Sequence, residues 1–154
     1  MILERLYSLR SQAPDTISMG NNLVLKKSDF GVIAKLLRLI KPLKTMQDRG
    51  VLYDVYLDEK NIGYIQIHEE SREELNIPWL MVDKKYRGQG IATRMMKQII
   101  TFAAKSGYKK ITLEVPGNSP DARHIYEKLG FVVTHEDQDK DNIWGGLTDM
   151  ELKL

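Results

Sequence analysis

A glycine-rich turn that leads into a helix is the segment of this sequence best suited to bind an anion. Residues 87–92 read Arg-Gly-Gln-Gly-Ile-Ala, and they connect an apolar strand, Trp79–Val82, to apolar residues at helical spacing. The first N–H groups of an α-helix have no intrahelical acceptor, and the helix dipole adds positive charge there. Gly88 and Gly90 keep side chains away from these amides. The sequence therefore predicts a phosphate or pyrophosphate site at residues 87–92.

Two common phosphate-binding motifs do not fit this turn. A P-loop requires Gly-Lys followed by Ser or Thr, and the chain has no such triplet. A dinucleotide fingerprint requires Gly or Ala three residues after its second glycine, where this chain has Thr93. The pattern that does fit is Arg or Gln, two residues, Gly, one residue, then Gly or Ala, formed here by Arg87, Gly90 and Ala92.

A second segment follows that helix after about one strand. It reads Leu-Glu-Val at 113–115, then Asn118, Ala122 and Tyr-Glu-Lys-Leu-Gly-Phe at 126–131. Both segments, in this order, resemble the acyl-CoA loop and the L-E-V…N…A…L-Y-x-K-L-G-F segment of the GNAT superfamily of N-acetyltransferases. The resemblance covers roughly residues 23–154. In one respect the chain departs from it: relatives of this type place Asn seven residues before the tyrosine, where this chain has Ser119.

The resemblance implies an acetyl-CoA-dependent transfer of an acetyl group to a primary amine. By this likeness Tyr126 protonates the departing thiolate, and Glu114 deprotonates the amine, with His68, Glu69 and Glu70 as other candidates for the base. Since the chain has no cysteine, an acetyl-thiol intermediate is excluded, and direct attack in a ternary complex is expected. The residues implied to bind acetyl-CoA are Leu80, Met81, Val82, Arg87, Gly88, Gln89, Gly90, Ile91, Ala92, Thr93 and Asn118.

The same residues have structural interpretations. Ser119 followed by Pro120 is typical of a helix start, and Leu-Gly-Phe at 129–131 is typical of a helix end. Tyr126 would then be a core residue and Glu114 a solvent-facing strand residue. A non-catalytic acyl-CoA-binding module on the same fold is therefore the alternative function.

The charge distribution bears on the binding partners. Residues 84–110 contain eight basic and no acidic residues, whereas residues 134–151 contain six acidic residues and one basic residue. The basic stretch could also bind nucleic acid with a steep salt dependence, but it coincides with the expected phosphate loop. Acidic residues near Glu69, and those around His135, favour a cationic acceptor such as a polyamine, a lysine side chain or a peptide amino terminus. Because the basic stretch is accounted for by the phosphate loop, no nucleic acid is expected as a partner. The three histidines have no metal-ligand spacing, so no metal is expected either.

Hydrophobic periodicity predicts the elements that position these segments. The order is strand, helix, three strands, helix, strand, helix and two strands, with the first helix between Ser28 and Pro42. A hairpin turn is predicted at residues 59–61, between the second and third strands. This order of elements predicts a mixed α/β (α+β) sheet with one β-α-β crossover. The resemblance implies the GNAT fold, in which the sheet is mostly antiparallel and the crossover is central. Pro78 cannot donate to a strand ladder, so we expect the central strands to splay there.

Composition is that of an ordinary globular chain, with 42% hydrophobic and 29% charged residues in 154. The lack of cysteine excludes disulfide scaffolds, zinc fingers and thiol nucleophiles. No apolar run approaches the roughly 18 residues that span a bilayer, and the charged first ten residues differ from a signal peptide, so a cytoplasmic location is expected. Residues 1–20 are predicted as a helical extension to a single domain at 21–154. Whether that extension packs on the domain or on a second subunit, making a homodimer, is left open by the sequence.

Overall fold

The computed structural model describes residues 13–28, 50–137, 139 and 141–154. The helix predicted between Ser28 and Pro42 and the first twelve residues lie outside this part of the chain. The described residues form two compact units. The first contains 13–28, 50–69 and 79–87, and the second contains 70–78 and the residues from 88 onward.

Antiparallel strands build the first unit. They are β1 (Thr16–Ser18), β2 (Leu23–Lys27), β3 (Gly50–Leu57) and β4 (Lys60–Ser71), paired in that order. Alternate residues of β3 are buried, as expected for a strand with one face on the core. β1 falls within the segment predicted as a helical extension, and it pairs with β2 across the predicted domain boundary at residue 21.

The hairpin between β3 and β4 is tighter than predicted. The sequence pattern placed its turn at residues 59–61, but Leu57 pairs with Lys60, so only Asp58 and Glu59 form the loop. Both have positive φ, 49° and 65°, which is the backbone of the two-residue turn that matches the twist of antiparallel strands.

The second unit contains the predicted crossover. The first part of β5 (Glu74–Val82) pairs in parallel with β6 (Lys110–Pro116), and helix α1 (Ile91–Lys105) connects the two strands. The parallel register ends at Ile77, one residue before Pro78, although both strands continue beyond it. The interruption expected at this proline is thus present, because proline has no N–H to donate.

The remaining elements of the second unit are α2 (Pro120–Lys128), β7 (Val132–Asp137) and β8 (Leu147–Lys153). β8 lies between β6 and β7 and is antiparallel to both. The described chain therefore has eight strands, mostly antiparallel, and two α-helices, which confirms the predicted α+β class. Neither helix is long and apolar enough to cross a membrane.

Helix α1 presents the predicted apolar stripe. Its buried residues, spaced three, four or one apart, cover one face: Ile91, Met95, Met96, Ile99 and Ala103. Its last turn closes on Gly107, which has φ 85°, and the Tyr108 N–H donates to the Ala103 carbonyl at 3.1 Å. Burial of this stripe fixes the position of the helix start, where the predicted anion site lies.

Candidate active site

The turn before α1 carries unpaired backbone donors. Among the described residues, none of the six successive N–H groups from Gly88 to Thr93 has a hydrogen-bond acceptor. The first intrahelical bond runs from Arg94 N to Gly90 O, at 3.0 Å. No acidic residue occupies the first turn of α1. This turn therefore has the donors and the helix-dipole charge that an oxyanion requires.

Gly88 and Gly90 are required by the backbone conformation of this turn. Their φ values are 75° and 74°, in the left-handed region that L-residues with a Cβ rarely adopt. A Cβ built on either glycine would meet nothing within 4 Å. The backbone conformation is thus a reason for glycine at both positions in addition to the predicted one, that glycine keeps side chains away from a bound anion.

Arg87 lies in the first unit and is anchored there. Its Nε donates to the carbonyl of Val82 at 2.8 Å. Within the part of the chain that is described, its two Nη groups have no partner. In the same unit Leu80 is half-buried, Met81 is exposed and Val82 is buried. These are the β5 residues predicted to face the acyl donor through their backbone.

The start of α2 differs from that of α1, because its flanking donors are already used. Gly117 N donates to Gly146 O at 2.9 Å, Asn118 N to Trp144 O at 3.1 Å, and Ser119 N to Pro116 O at 2.9 Å. The predicted side-chain cap is absent: Ser119 occupies the N-cap position without a capping hydrogen bond, and Pro120 follows it as predicted. Of the two helix starts in the described ranges, only that of α1 has a run of free amides for an anion.

Tyr126 combines a buried ring with an accessible hydroxyl. The residue is 8% exposed, and its ring centroid lies 5.7 Å from that of Phe131. No described residue hydrogen-bonds its hydroxyl. In the described part of the chain no fully buried polar side-chain atom lacks a partner, so the Tyr126 hydroxyl oxygen is in contact with solvent. Burial raises the pKa of Tyr126 to about 12. The phenol is therefore protonated at neutral pH and can donate a proton.

Glu114 is exposed on β6, between the buried side chains of Leu113 and Val115. In the sheet it is paired with Asp149 of β8, which in turn pairs with His135 of β7. Glu114 thus stands beside a second acidic residue on the open face of this unit. An exposed position on the sheet is compatible with both interpretations of Glu114, as a base that faces a cleft and as a solvent-facing residue.

The other candidates for the base lie on β4. His68 and Glu69 are buried, whereas Glu70 is exposed. The side chains of Gln66 and His68 form a buried hydrogen bond of 2.9 Å between their Nε2 atoms. A Cβ on Gly50 would come within 2.2 Å of His68 Cδ2, so the glycine makes room for the imidazole. Gln66 was not predicted from the sequence; its signal there is a polar residue two positions before His68 on the same strand.

Asn118 and Gln89 are exposed, Ala92 and Thr93 are half-buried, and Ile91 is buried, so Ile91 offers a ligand only its backbone. The Ser119 hydroxyl lies 3.5 Å from Asn118 Oδ1. Asn118 Nδ2 has no partner among the described residues and is free to donate.

Comparison with known proteins shows which family the sequence resembles. Residues 26–131 match the profile described as Acetyltransferase (GNAT) family. N-acetyltransferase 8B of Homo sapiens is 30% identical over 91 residues, which are 58% of this chain and 39% of that protein. N-alpha-acetyltransferase 30 of Schizosaccharomyces pombe is 38% identical over 65 residues, which are 42% of this chain and 43% of that protein. The chain thus spans about two-fifths of the length of these curated relatives.

A solved structure shares the fold. The GNAT family acetyltransferase from Elizabethkingia anophelis, a structure with acetyl-CoA bound, superposes with a TM-score of 0.71 at 24% identity. The alignment covers 87% of this chain and 99% of that one. The family profile covers more than two-thirds of the chain and includes the 87–92 turn, α1 and the segment that contains Tyr126. The chain belongs to the GNAT acetyltransferase family.

Proposed function

We propose that this chain is an acetyl-CoA-dependent N-acetyltransferase that acts on a primary amine by direct attack in a ternary complex. The observation that carries the proposal is the run of free N–H groups from Gly88 to Thr93, in the position of the family's acyl-CoA loop. The Elizabethkingia relative has acetyl-CoA bound, which supports the same donor here. The proposed catalytic domain is residues 21–154.

In this proposal the diphosphate of acetyl-CoA accepts hydrogen bonds from the amides of Gly88–Thr93. A helix start is suited to this anion, and the Nη groups of Arg87 supply further donors. The backbone of Leu80–Val82 and the side-chain amide of Asn118 bind the pantetheine arm. Gln89 contributes its backbone N–H to binding of the diphosphate, as part of the same turn.

The transfer itself requires two proton movements. The amine nitrogen attacks the thioester carbon, a base accepts the ammonium proton, and the C–S bond breaks as the tetrahedral intermediate collapses. The leaving thiolate takes a proton from the Tyr126 hydroxyl. Since that hydroxyl reaches the surface, solvent can return the proton to the phenolate before the next turnover.

Glu114 is the proposed base, and its removal should change the pH dependence of turnover. We expect Glu114→Gln to lower kcat/KM by roughly 10²-fold near neutral pH, because general-base catalysis contributes about that factor. The loss should shrink as pH rises and the free amine becomes abundant. The measurement is a kcat/KM profile against pH for wild type and variant.

The matched control is Glu127→Gln, which removes an exposed carboxylate of α2 that pairs with Arg123. It should leave the pH profile unchanged. If Glu114→Gln also leaves the pH profile unchanged, while His68→Gln removes the fall of kcat/KM at low pH, the base lies on β4.

The acceptor is proposed to be cationic: a polyamine, a lysine side chain or a peptide amino terminus. The open face around Glu114 and Asp149, together with the acidic residues at 136–141, supports this charge. The similarity to a protein named N-alpha-acetyltransferase 30 supports a peptide amino terminus.

A panel of amines tests both the activity and the acceptor class. Spermidine, a lysine side-chain substrate, and peptides with basic, neutral or acidic residues after a free amino terminus are incubated with acetyl-CoA. Thiol release and product mass are then measured. We expect acetylation of cationic acceptors at least tenfold above acidic ones, falling with added salt. A preference for acidic acceptors would contradict the charge proposal. Acetyl-CoA binding without turnover on any amine would favour the non-catalytic alternative.

A further inference from the structure

The loop between β7 and β8 is fastened to the turn that precedes α2. Two backbone hydrogen bonds join them: Gly117 N to Gly146 O at 2.9 Å, and Asn118 N to Trp144 O at 3.1 Å. The loop segment Asn142–Gly146 is also folded on itself. Asn142 Oδ1 accepts from Trp144 N at 3.0 Å, and its carbonyl accepts from Gly145 N at 2.8 Å. This segment thus presents two carbonyl oxygens in fixed positions.

The close approach depends on the absence of a side chain at residue 117. A Cβ built on Gly117 would lie 2.0 Å from the carbonyl oxygen of Gly145 and 2.8 Å from its carbon. Gly117 has no positive φ, unlike Gly145 and Gly146, so its backbone conformation is open to other residues. Glycine is therefore required at 117 for space.

The contact fixes the residue next to it. With its N–H bonded to Trp144 O, the backbone of Asn118 is held by the loop, while its side chain is exposed. Ser119 Oγ lies near Asn118 Oδ1, which leaves Nδ2 to donate outward. In this chain the asparagine stands one residue earlier than the family pattern places it, and its backbone N–H is held by Trp144 O of the β7–β8 loop.

We propose that Gly117 is a positioning residue, through which the segment Asn142–Gly146 holds Asn118 in place for the pantetheine arm of the acyl donor. The inference rests on the proposed function. It assigns to the β7–β8 loop a role in binding the donor, in addition to any contact with the acceptor.

The test compares two ligands on the intact chain, acetyl-CoA and ADP. ADP retains a diphosphate for the amides of Gly88–Thr93 but has no pantetheine arm. We expect Gly117→Ala to raise the Kd of acetyl-CoA roughly fivefold to tenfold, the effect of losing about one hydrogen bond. The Kd of ADP should stay unchanged. Titration calorimetry measures both, and amide hydrogen exchange at Asn118 should show the loss of its protected N–H.

The matched control is Ile143→Ala, which truncates an 84% exposed side chain in the same loop without touching the turn. It should leave both dissociation constants at their wild-type values. A second variant, Asn142→Ala, loosens the loop while keeping Gly117, and it serves if Gly117→Ala does not fold. It should likewise raise the Kd of acetyl-CoA and leave the Kd of ADP unchanged.

Two results would overturn the positioning role. One is that folded Gly117→Ala loses affinity for acetyl-CoA and for ADP equally. The other is that this variant binds both ligands as the wild type does although its Asn118 amide exchanges freely. A wild-type chain that binds no acetyl-CoA would overturn the proposed function itself. The two failures are therefore distinguished by the wild-type titration.

Discussion

Replacing Tyr126 with phenylalanine should lower kcat by roughly 10²-fold or more while leaving the KM of acetyl-CoA within about twofold. General-acid catalysis contributes factors of this size, and the variant removes only the hydroxyl proposed as the proton donor. The hydroxyl has no hydrogen-bond partner among the described residues, so its loss should change the free energy of unfolding by no more than about 0.5 kcal/mol. Steady-state kinetics and a thermal melt measure the two effects.

The pH dependence of wild-type kcat provides a second check on the same residue. The pKa of Tyr126 is raised to about 12, so the phenol keeps its proton throughout the range in which the enzyme is assayed. A group that must be protonated loses its function only as pH rises through its pKa. We therefore expect no alkaline loss of kcat from Tyr126 below about pH 10.

Tyr53→Phe is the control for loss of a phenol hydroxyl. Tyr53 is also buried, and its hydroxyl donates to the carbonyl of Pro14 at 2.9 Å. Its removal should cost about 1 kcal/mol of stability and leave kcat unchanged. If both variants turn over like the wild type, Tyr126 is a core residue and another group protonates the thiolate.

Replacing Gly90 with alanine should raise the Kd of acetyl-CoA by roughly tenfold or more. Alanine at φ 74° costs about 1–2 kcal/mol, and relief of that strain rotates the peptide units that present the Gly88–Thr93 amides. Each charge-assisted hydrogen bond lost to the diphosphate costs a further 1.5 kcal/mol or so. Titration calorimetry with acetyl-CoA measures the change.

Gly107→Ala is a closely matched control, at the opposite end of the same helix. Gly107 has φ 85°, and a Cβ there also meets nothing within 4 Å. Both variants should lose a similar amount of thermal stability, since the backbone strain is similar, but only Gly90→Ala should lose affinity. An equal rise in Kd for both would show that the effect comes from general destabilisation rather than from the turn.

Local patterns of the sequence predicted the crossover well. Ile91, Met95 and Ile99 recur four residues apart and are buried in the structure, because helix geometry alone brings such residues to one face. The alternation of Leu113, Glu114 and Val115 predicted in the same way which residue of β6 is exposed. Both inferences depend only on the period of the backbone.

Predictions failed where a partner distant in sequence determined the outcome. The β3–β4 turn lies at Asp58 and Glu59 because the pairing of the two strands sets the loop length, and Glu59 stands at a positive-φ position where glycine is the usual residue. The donors ahead of α2, Gly117 N and Asn118 N, are taken by the carbonyls of residues 146 and 144. No local pattern reports on a contact across 26 residues.

Residue type and short spacing were enough to predict a glycine turn ahead of a helix, and the motifs around it were enough to show the resemblance to N-acetyltransferases. Which of the described helix starts keeps its amides free depends on contacts between segments far apart in the sequence. The β7–β8 loop occupies the donors ahead of α2, while among the described residues nothing occupies those of Gly88–Thr93. The physical reason is that a backbone N–H is available to a ligand only when folding brings no carbonyl to it.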